Sequence, residues 1–357
     1  MHAFFRAALA YALAALAVSF WLYQDAADLA ANAMVETAEN ARLMLGITRV
    51  AAPVLVPAVL IALILAGGRA LLRRAGPVLL ALAGVIAIQI GFAFLKNAIP
   101  LLVPYYADPG LARLDAWLHG GADPWIAAHR WISGFDVRPW LVIYLDVWTI
   151  PAMILPILFV ATDSDPARAG RYCWLYFGSW LLIGNLLALA GSSVGPVYYD
   201  LLTGEARFAG LNAALTASGI ADSSIGVLQS ALWERYETGV LAPGLGISAF
   251  PSMHVAVAAI TALWLAERSL WLAPLGLAFV LAILFLSVLT GYHYAVDGYA
   301  SIAAVGALWW ALRRDSGLVH RLWRSPMHRL WRGLQSHRDA LISRGDPARS
   351  RLPRSFR

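Results

Sequence analysis

Eight stretches of the chain are apolar for long enough, or nearly so, to cross the hydrocarbon core of a bilayer, which takes about 20 helical residues. They lie at 6–23, 50–72, 75–95, 139–161, 172–191, 252–266, 271–290 and 293–312. The sixth is short, and Pro251 at its start predicts a helix that begins within the interface. The pattern predicts an all-α fold, a polytopic transmembrane helix bundle of about eight spans. Segment 24–49 is Ala-rich with Asp25, Asp28, Glu36 and Glu39, which predicts a polar-faced helix outside the membrane. Two connections, 96–138 and 192–250, are too long for mere connectors, and long loops in compact proteins tend to carry function. Past residue 314, Trp323, Met327, Leu330, Trp331 and Leu334 recur at helical spacing among Arg324, Arg329 and Arg332, the pattern of an amphipathic helix on an anionic leaflet. Three regions follow: 1–74 with the N-terminal spans and outer polar helix, 75–313 as the membrane core, and 314–357 as a basic tail.

Composition agrees with a bilayer. Only 13% of residues are charged, about half the share of a soluble domain. The single cysteine, Cys173, has no partner for an intrachain disulfide and reads as a small buried side chain. Net charge is +6, but the basic excess flanks the spans and forms no soluble basic face, so nucleic acid is not the expected partner. It sets an orientation instead. With a cytoplasmic N-terminus, cytoplasmic segments carry 19 basic and six acidic residues, whereas outer segments carry eight basic and 13 acidic ones. An even number of spans returns the Arg-rich C-terminus to the cytoplasm. The first run ends in Phe20-Trp21-Leu22-Tyr23, a poor cleavage site, and is therefore read as a retained span.

The candidate chemistry lies on the outer face. The second long connection contains Gly191-Ser192-Ser193-Val194-Gly195-Pro196-Val197-Tyr198-Tyr199 and ends in Phe250-Pro251-Ser252-Met253-His254. With Pro251 in the first helical turn, the amides of Ser252 and Met253 point outward with the positive end of the helix dipole, which suits a phosphate. His254 then sits at the rim of that site. In the eighth span His293 and Asp297 are four apart and share a helix face. A carboxylate inside a span needs a partner, and one holding an imidazole nitrogen fixes the tautomer and frees the other nitrogen. Spans six and eight start on the same side, so His254 and His293 lie at one depth. No third ligand sits at metal-motif spacing, so neither a metal nor another cofactor is expected. Asp146, in the fourth span, is a substrate contact or the partner of a neighbouring span.

These residues resemble the signatures of the type 2 phosphatidic acid phosphatase superfamily. Pro251-Ser252-Met253-His254 is similar to its PSGH signature, and His293-xxx-Asp297 to the end of SRxxxxxHxxxD. Lys96, followed by Val103-Pro104, is similar to KxxxxxxRP, and Lys96 is the sole lysine of the chain. Three positions depart: Val103 and Ser287 stand where arginines are expected, and Met253 where glycine is. A similar pattern marks the branch of the aureobasidin-resistance inositol phosphorylceramide synthases, whose Pro-aromatic-Tyr loop resembles Pro196-Val197-Tyr198-Tyr199. Ala- and Arg-rich usage suggests a bacterial relative from a high-GC genome.

The resemblance implies a six-helix phosphatase-like core and a membrane enzyme acting on lipid-linked phosphoryl groups. His293 is then the nucleophile that becomes phosphohistidine, Asp297 its orienter, and His254 the acid and then the base. Lys96, Ser252, Arg207, Tyr198 and Tyr199 are the expected phosphate or substrate contacts. Phospholipids or other lipid phosphates are the expected partners, and the site faces the periplasm of a bacterial inner membrane. Three readings stand: a phosphotransferase delivering a headgroup such as phosphoinositol, a simple lipid phosphate phosphatase, and a transporter or scaffold. No repeated halves favour the last.

Overall fold

The computed structural model describes residues 1–22, 68–239 and 246–314, with the side chains of 68–73 left out. It divides into units Met1–Trp309 and Trp310–Arg357. The helices expected in 24–49 and in the tail, and most of the second span, lie outside the described residues.

All regular structure among the described residues is helical. Helix α1 covers His2–Leu22 and α2 Gly68–Leu102. Short outer helices α3 (Asp108–Leu118) and α4 (Pro124–Trp131) lead to the long α5 (Arg138–Thr162) and α6 (Pro166–Ala190). Then come α7 (Pro196–Thr203), α8 (Ala209–Ala217), α9 (Ser224–Thr238), α10 (Met253–Arg268), α11 (Leu270–Leu289) and α12 (Ala295–Arg314). Six of these are long and apolar enough to cross a membrane: α1, α2 from Arg74 onward, α5, α6, α11 and α12. The two long connections are thus folded into five short helices.

One expectation changes. Residues 68–72, assigned to the end of the second span, are continuous with the third, and the helix runs through Pro77 without reversing. A proline inside a helix costs one hydrogen bond, and next to it Arg74 is fixed by donating to the carbonyls of Val160, Ala161 and Asp163 at the end of α5. The sixth span, α10, is short as expected, with 16 residues, and ends at Arg268 beside Thr162 at the end of α5. Its Val255–Ile260 stretch is buried, so it is a core helix enclosed by longer ones.

Helices α1 and α2 run parallel, as first and third spans should. Phe4 packs on Gly84 and Tyr11 on Gly91, and a Cβ at either glycine would collide with the ring. Small residues at such crossings let apolar helices approach where water supplies no driving force.

The end of this unit that holds Arg74 is a charged girdle. Arg168 pairs with Asp163 at 2.7 Å, Arg171 with Glu267 at 2.7 Å, and Arg268 donates to the Thr162 hydroxyl. Trp264 and Trp309 donate their indole N–H groups to Asp163 and Glu267. Burial alone would raise the Asp163 carboxyl, but Arg168, the Asp165 amide and Trp264 hold it below its ordinary value. In the second unit, the Arg314 guanidinium lies 4.2 Å from the centroid of the Trp310 ring.

Candidate active site

The sequence 291–294 forms a tight turn before α12, and 246–251 approaches it from the start of α10. The turn makes His293 buried, and its Nδ1 lies 2.7 Å from the Ala249 carbonyl oxygen. A carbonyl can only accept, so Nδ1 carries the proton and donates. Nε2, on the other side of the ring, keeps its lone pair. Asp297 Oδ2 is farther from Nδ1, at 3.4 Å, and accepts the Tyr294 amide at 3.0 Å. Asp297 therefore caps the helix that carries it and adds negative charge beside the imidazole. The hydrogen bond that fixes the tautomer comes from Ala249, where the sequence pointed to Asp297.

His254 lies 6.0 Å from His293, centroid to centroid. Both line a cavity of about 330 Å³ together with Lys96, Tyr144, Trp148, Tyr198 and Tyr292. Below Lys96 the walls are apolar: Phe92 one turn down α2, Met153 on α5, and Trp180 and Gly184 on α6. Phe92 and Trp180 meet edge to face at 4.6 Å and make its floor. Among the described residues Lys96 has neither an acid nor an acceptor bound to it.

Pro251 precedes the helix. Ser252, fully buried, is the N-cap, with Oγ 3.4 Å from the Val255 amide. The Ser252 amide is taken by the Asp297 carbonyl at 3.3 Å, which corrects its expected role as an open phosphate donor. Among the described residues the Met253 and His254 amides have no acceptor. As the first two of α10 they have none within the helix. The anion-binding end therefore exists, displaced by one residue.

The other candidates separate. Tyr198 lines the cavity, stacks on Trp233 and donates to the Gln229 carbonyl. Tyr199 points elsewhere, packing on Phe208 and donating to Glu205. Arg207 does not reach the cavity. It bonds Asp123 at 2.9 Å and the Ala112 carbonyl at 3.1 Å on the outer surface. Asp146 also lies outside the lining.

Two groups were not legible beforehand. Tyr144 and Trp148, on and just after a wide π-helical turn in α5, stack on His254. Asp108 and Asp115, both buried on α3, clasp the turn from outside. Asp108 accepts from the amides of Val194 and Gly195 and from the Tyr294 hydroxyl. Asp115 accepts from Ala295 and Val296, the first two amides of α12. Burial raises both carboxyls above their usual range, with these hydrogen bonds pulling against it. Gly195 sits at φ +89°, and a Cβ there would strike the Tyr292 carbonyl, so only glycine fits. The spacing of Asp108 and Asp115 on one helix face was the available signal.

Two histidines thus share one cavity with a lone ammonium at an apolar wall. A model of the family described as the PAP2 superfamily matches residues 109–311. The chain belongs to the PAP2 superfamily. Neither the curated proteins nor the solved structures contain a significant match. Members are generally phosphatases and phosphotransferases, and with six apolar helices this PAP2 protein is an integral membrane protein for which lipid-phosphate chemistry is the natural class. The matched stretch holds both histidines, Asp297 and Asp115, and leaves Lys96 upstream. Ser287, at one of the two arginine positions of the family pattern, is buried, with its side chain beside the Tyr144 hydroxyl.

Proposed function

We propose that this PAP2 protein is a phosphotransferase acting on lipid-linked phosphoryl groups through a phosphohistidine on His293. The observation that carries the reading is the His293 ring, whose Nδ1 is committed to Ala249 and which lines one cavity with His254 and Lys96. His293 Nε2 attacks phosphorus; the P–N bond forms as the P–O bond to the leaving alcohol breaks. His254 gives its proton to that oxygen. An acceptor hydroxyl then loses its proton to His254 and attacks phosphorus, and the P–N bond breaks. Asp297 stabilises the positive charge that His293 acquires. Lys96 and the Met253 and His254 amides offset charge on the phosphoryl oxygens.

Charge favours a phosphodiester donor. Lys96 is the sole Lys or Arg among the lining residues, and the other positive charge, on His254, leaves with the departing alcohol, so the charge that stays by the phosphoryl oxygens suits a diester better than a monoester. This supports headgroup transfer, as in the inositol phosphorylceramide synthase branch that Pro196–Tyr199 resembles. The apolar floor of Phe92, Met153 and Trp180 suits a lipid tail. Tyr198 borders the same space, Ser252 acts through its cap, and the site is assigned to the periplasmic face with both termini cytoplasmic.

The test is chemical trapping. Purified protein in lipid vesicles, given a lipid phosphodiester labelled at phosphorus and quenched in alkali, should retain label on the chain. His293→Ala should retain none and lose at least about 10²–10⁴ in turnover. Label surviving His293→Ala, or activity above a tenth of wild type, overturns the reading. Release of the phosphomonoester at the same rate with and without alcohol acceptors would instead select a hydrolase.

A further inference from the structure

The two histidines are held by different means. His293 is fixed by hydrogen bonds, whereas among the described residues no carboxylate or carbonyl is bonded to the His254 ring. His254 lies instead between two aromatic planes. The Tyr144 ring is 4.3 Å from it, centroid to centroid, at an interplanar angle of 9°. The Trp148 ring is at 4.0 Å and 28°. Trp148 also donates its indole N–H to the His254 backbone carbonyl at 2.9 Å, so one residue grips both the ring and the main chain. Tyr144 is fully buried and lies near-parallel to Tyr292 at 6.1 Å, which continues the stack toward the turn carrying His293. The wide turn Ile143–Val147 carries the first of these rings and leads directly into the second. Such turns are uncommon and concentrate at functional sites.

We propose that Tyr144 and Trp148 are positioning residues for His254, clamping its ring so that an N–H faces the leaving oxygen and sustaining the protonated ring by the π faces on either side. The proposal rests on His254 being the acid–base group. A ring held on both faces turns only in its own plane, which restricts the direction of its two nitrogens without consuming either in a hydrogen bond. That suits a group that must give up a proton and take it back. The aromatic faces attract an imidazolium, and they offset the other cation of the cavity, Lys96, which disfavours a second positive charge. Tyr198, Tyr292 and His293 are the remaining titratable groups of the lining besides Tyr144 itself.

The experiment compares two lipid-chain phosphodiesters matched in length, one with an alkyl alcohol and one with p-nitrophenol as leaving group. The nitrophenolate departs with little protonation. In single-turnover measurements of the first half-reaction, Trp148→Leu and Tyr144→Leu should each slow release of the alkyl alcohol roughly tenfold or more while sparing the burst of nitrophenolate. Trp148→Phe and Tyr144→Phe keep a ring and should restore most of the loss, which a role for the hydroxyl or indole N–H alone would not allow. The proposal is overturned if the ratio of the two rates stays at the wild-type value in both Leu variants, whatever the overall activity. It is also overturned if the Phe variants are as impaired as the Leu ones. Should either Leu variant fail to fold, the other and the two Phe variants decide the question. His254→Ala is the control: a rate ratio unchanged there removes the acid role itself, and the reading above falls with the clamp.

Discussion

The two ends of the main unit treat charge in opposite ways. At one end Arg168 and Arg171 each hold a carboxylate, Arg74 is spent on three carbonyls, and Arg268 on a hydroxyl. At the other, Lys96 stands without a counter-ion among the described residues, and the Asp297 carboxylate keeps one buried oxygen, Oδ1, without a hydrogen-bond partner there. Buried polar groups are normally satisfied, and exceptions call for an explanation. The first end is built to stay as it is. The second keeps its capacity in reserve, which is what a site awaiting a ligand requires.

The widest separation should come from labelling. In a Cys173→Ser background, Ser164→Cys and Asp222→Cys place thiols at exposed positions on opposite ends. An impermeant reagent on intact cells should modify only the Asp222→Cys thiol, and modification of Ser164→Cys instead inverts the assigned orientation. Next is Lys96→Met, expected to lower kcat/KM about tenfold to more than a hundredfold. Its melting temperature in detergent should stay within about 1 °C of wild type, because nothing in the fold leans on that ammonium. A large loss of stability there would erase the contrast.

Asp163→Asn should do the reverse, lowering the melting temperature on the order of 5 °C at pH 7 with kcat/KM unchanged. The sign with pH follows from the depressed carboxyl. Its stabilisation is full above the unfolded value of about 3.9 and is lost as pH falls through the lower folded value. Wild type and variant should therefore converge in acid, and a gap that persists at low pH would deny the ion pair its role. The smallest effect belongs to Arg207→Gln. Its half-exposed pair with Asp123 is worth about 1 kcal/mol or less, and kcat/KM should change less than twofold. A crippled variant would show that the loop closes over the cavity.

What could be read in advance was whatever the chain repeats locally. Apolar length announced the helices, and Pro251–His254 and His293–Asp297 announced their meeting point, since both lie at helix starts on one side. Tyr144 and Trp148 were hidden because an aromatic pair four apart in a membrane run looks like any lipid-facing stripe. Arg207 misled because its partner, Asp123, lies 84 residues away, and a single sequence gives no pairing at that distance. The break expected between residues 72 and 75 failed because the charges of Arg73 and Arg74 interrupt the apolar run, while Arg74 anchors the continuous helix to another one.

Lys96 comes from α2, upstream of the stretch that the family pattern covers. The paired imidazoles and the ammonium opposite them therefore stand on separate helices. The wall below Lys96 can thus be redrawn on one helix, with the paired imidazoles left as they are. A directed-evolution library confined to Phe92, Lys96 and their neighbours on α2 would explore donor preference along the same route.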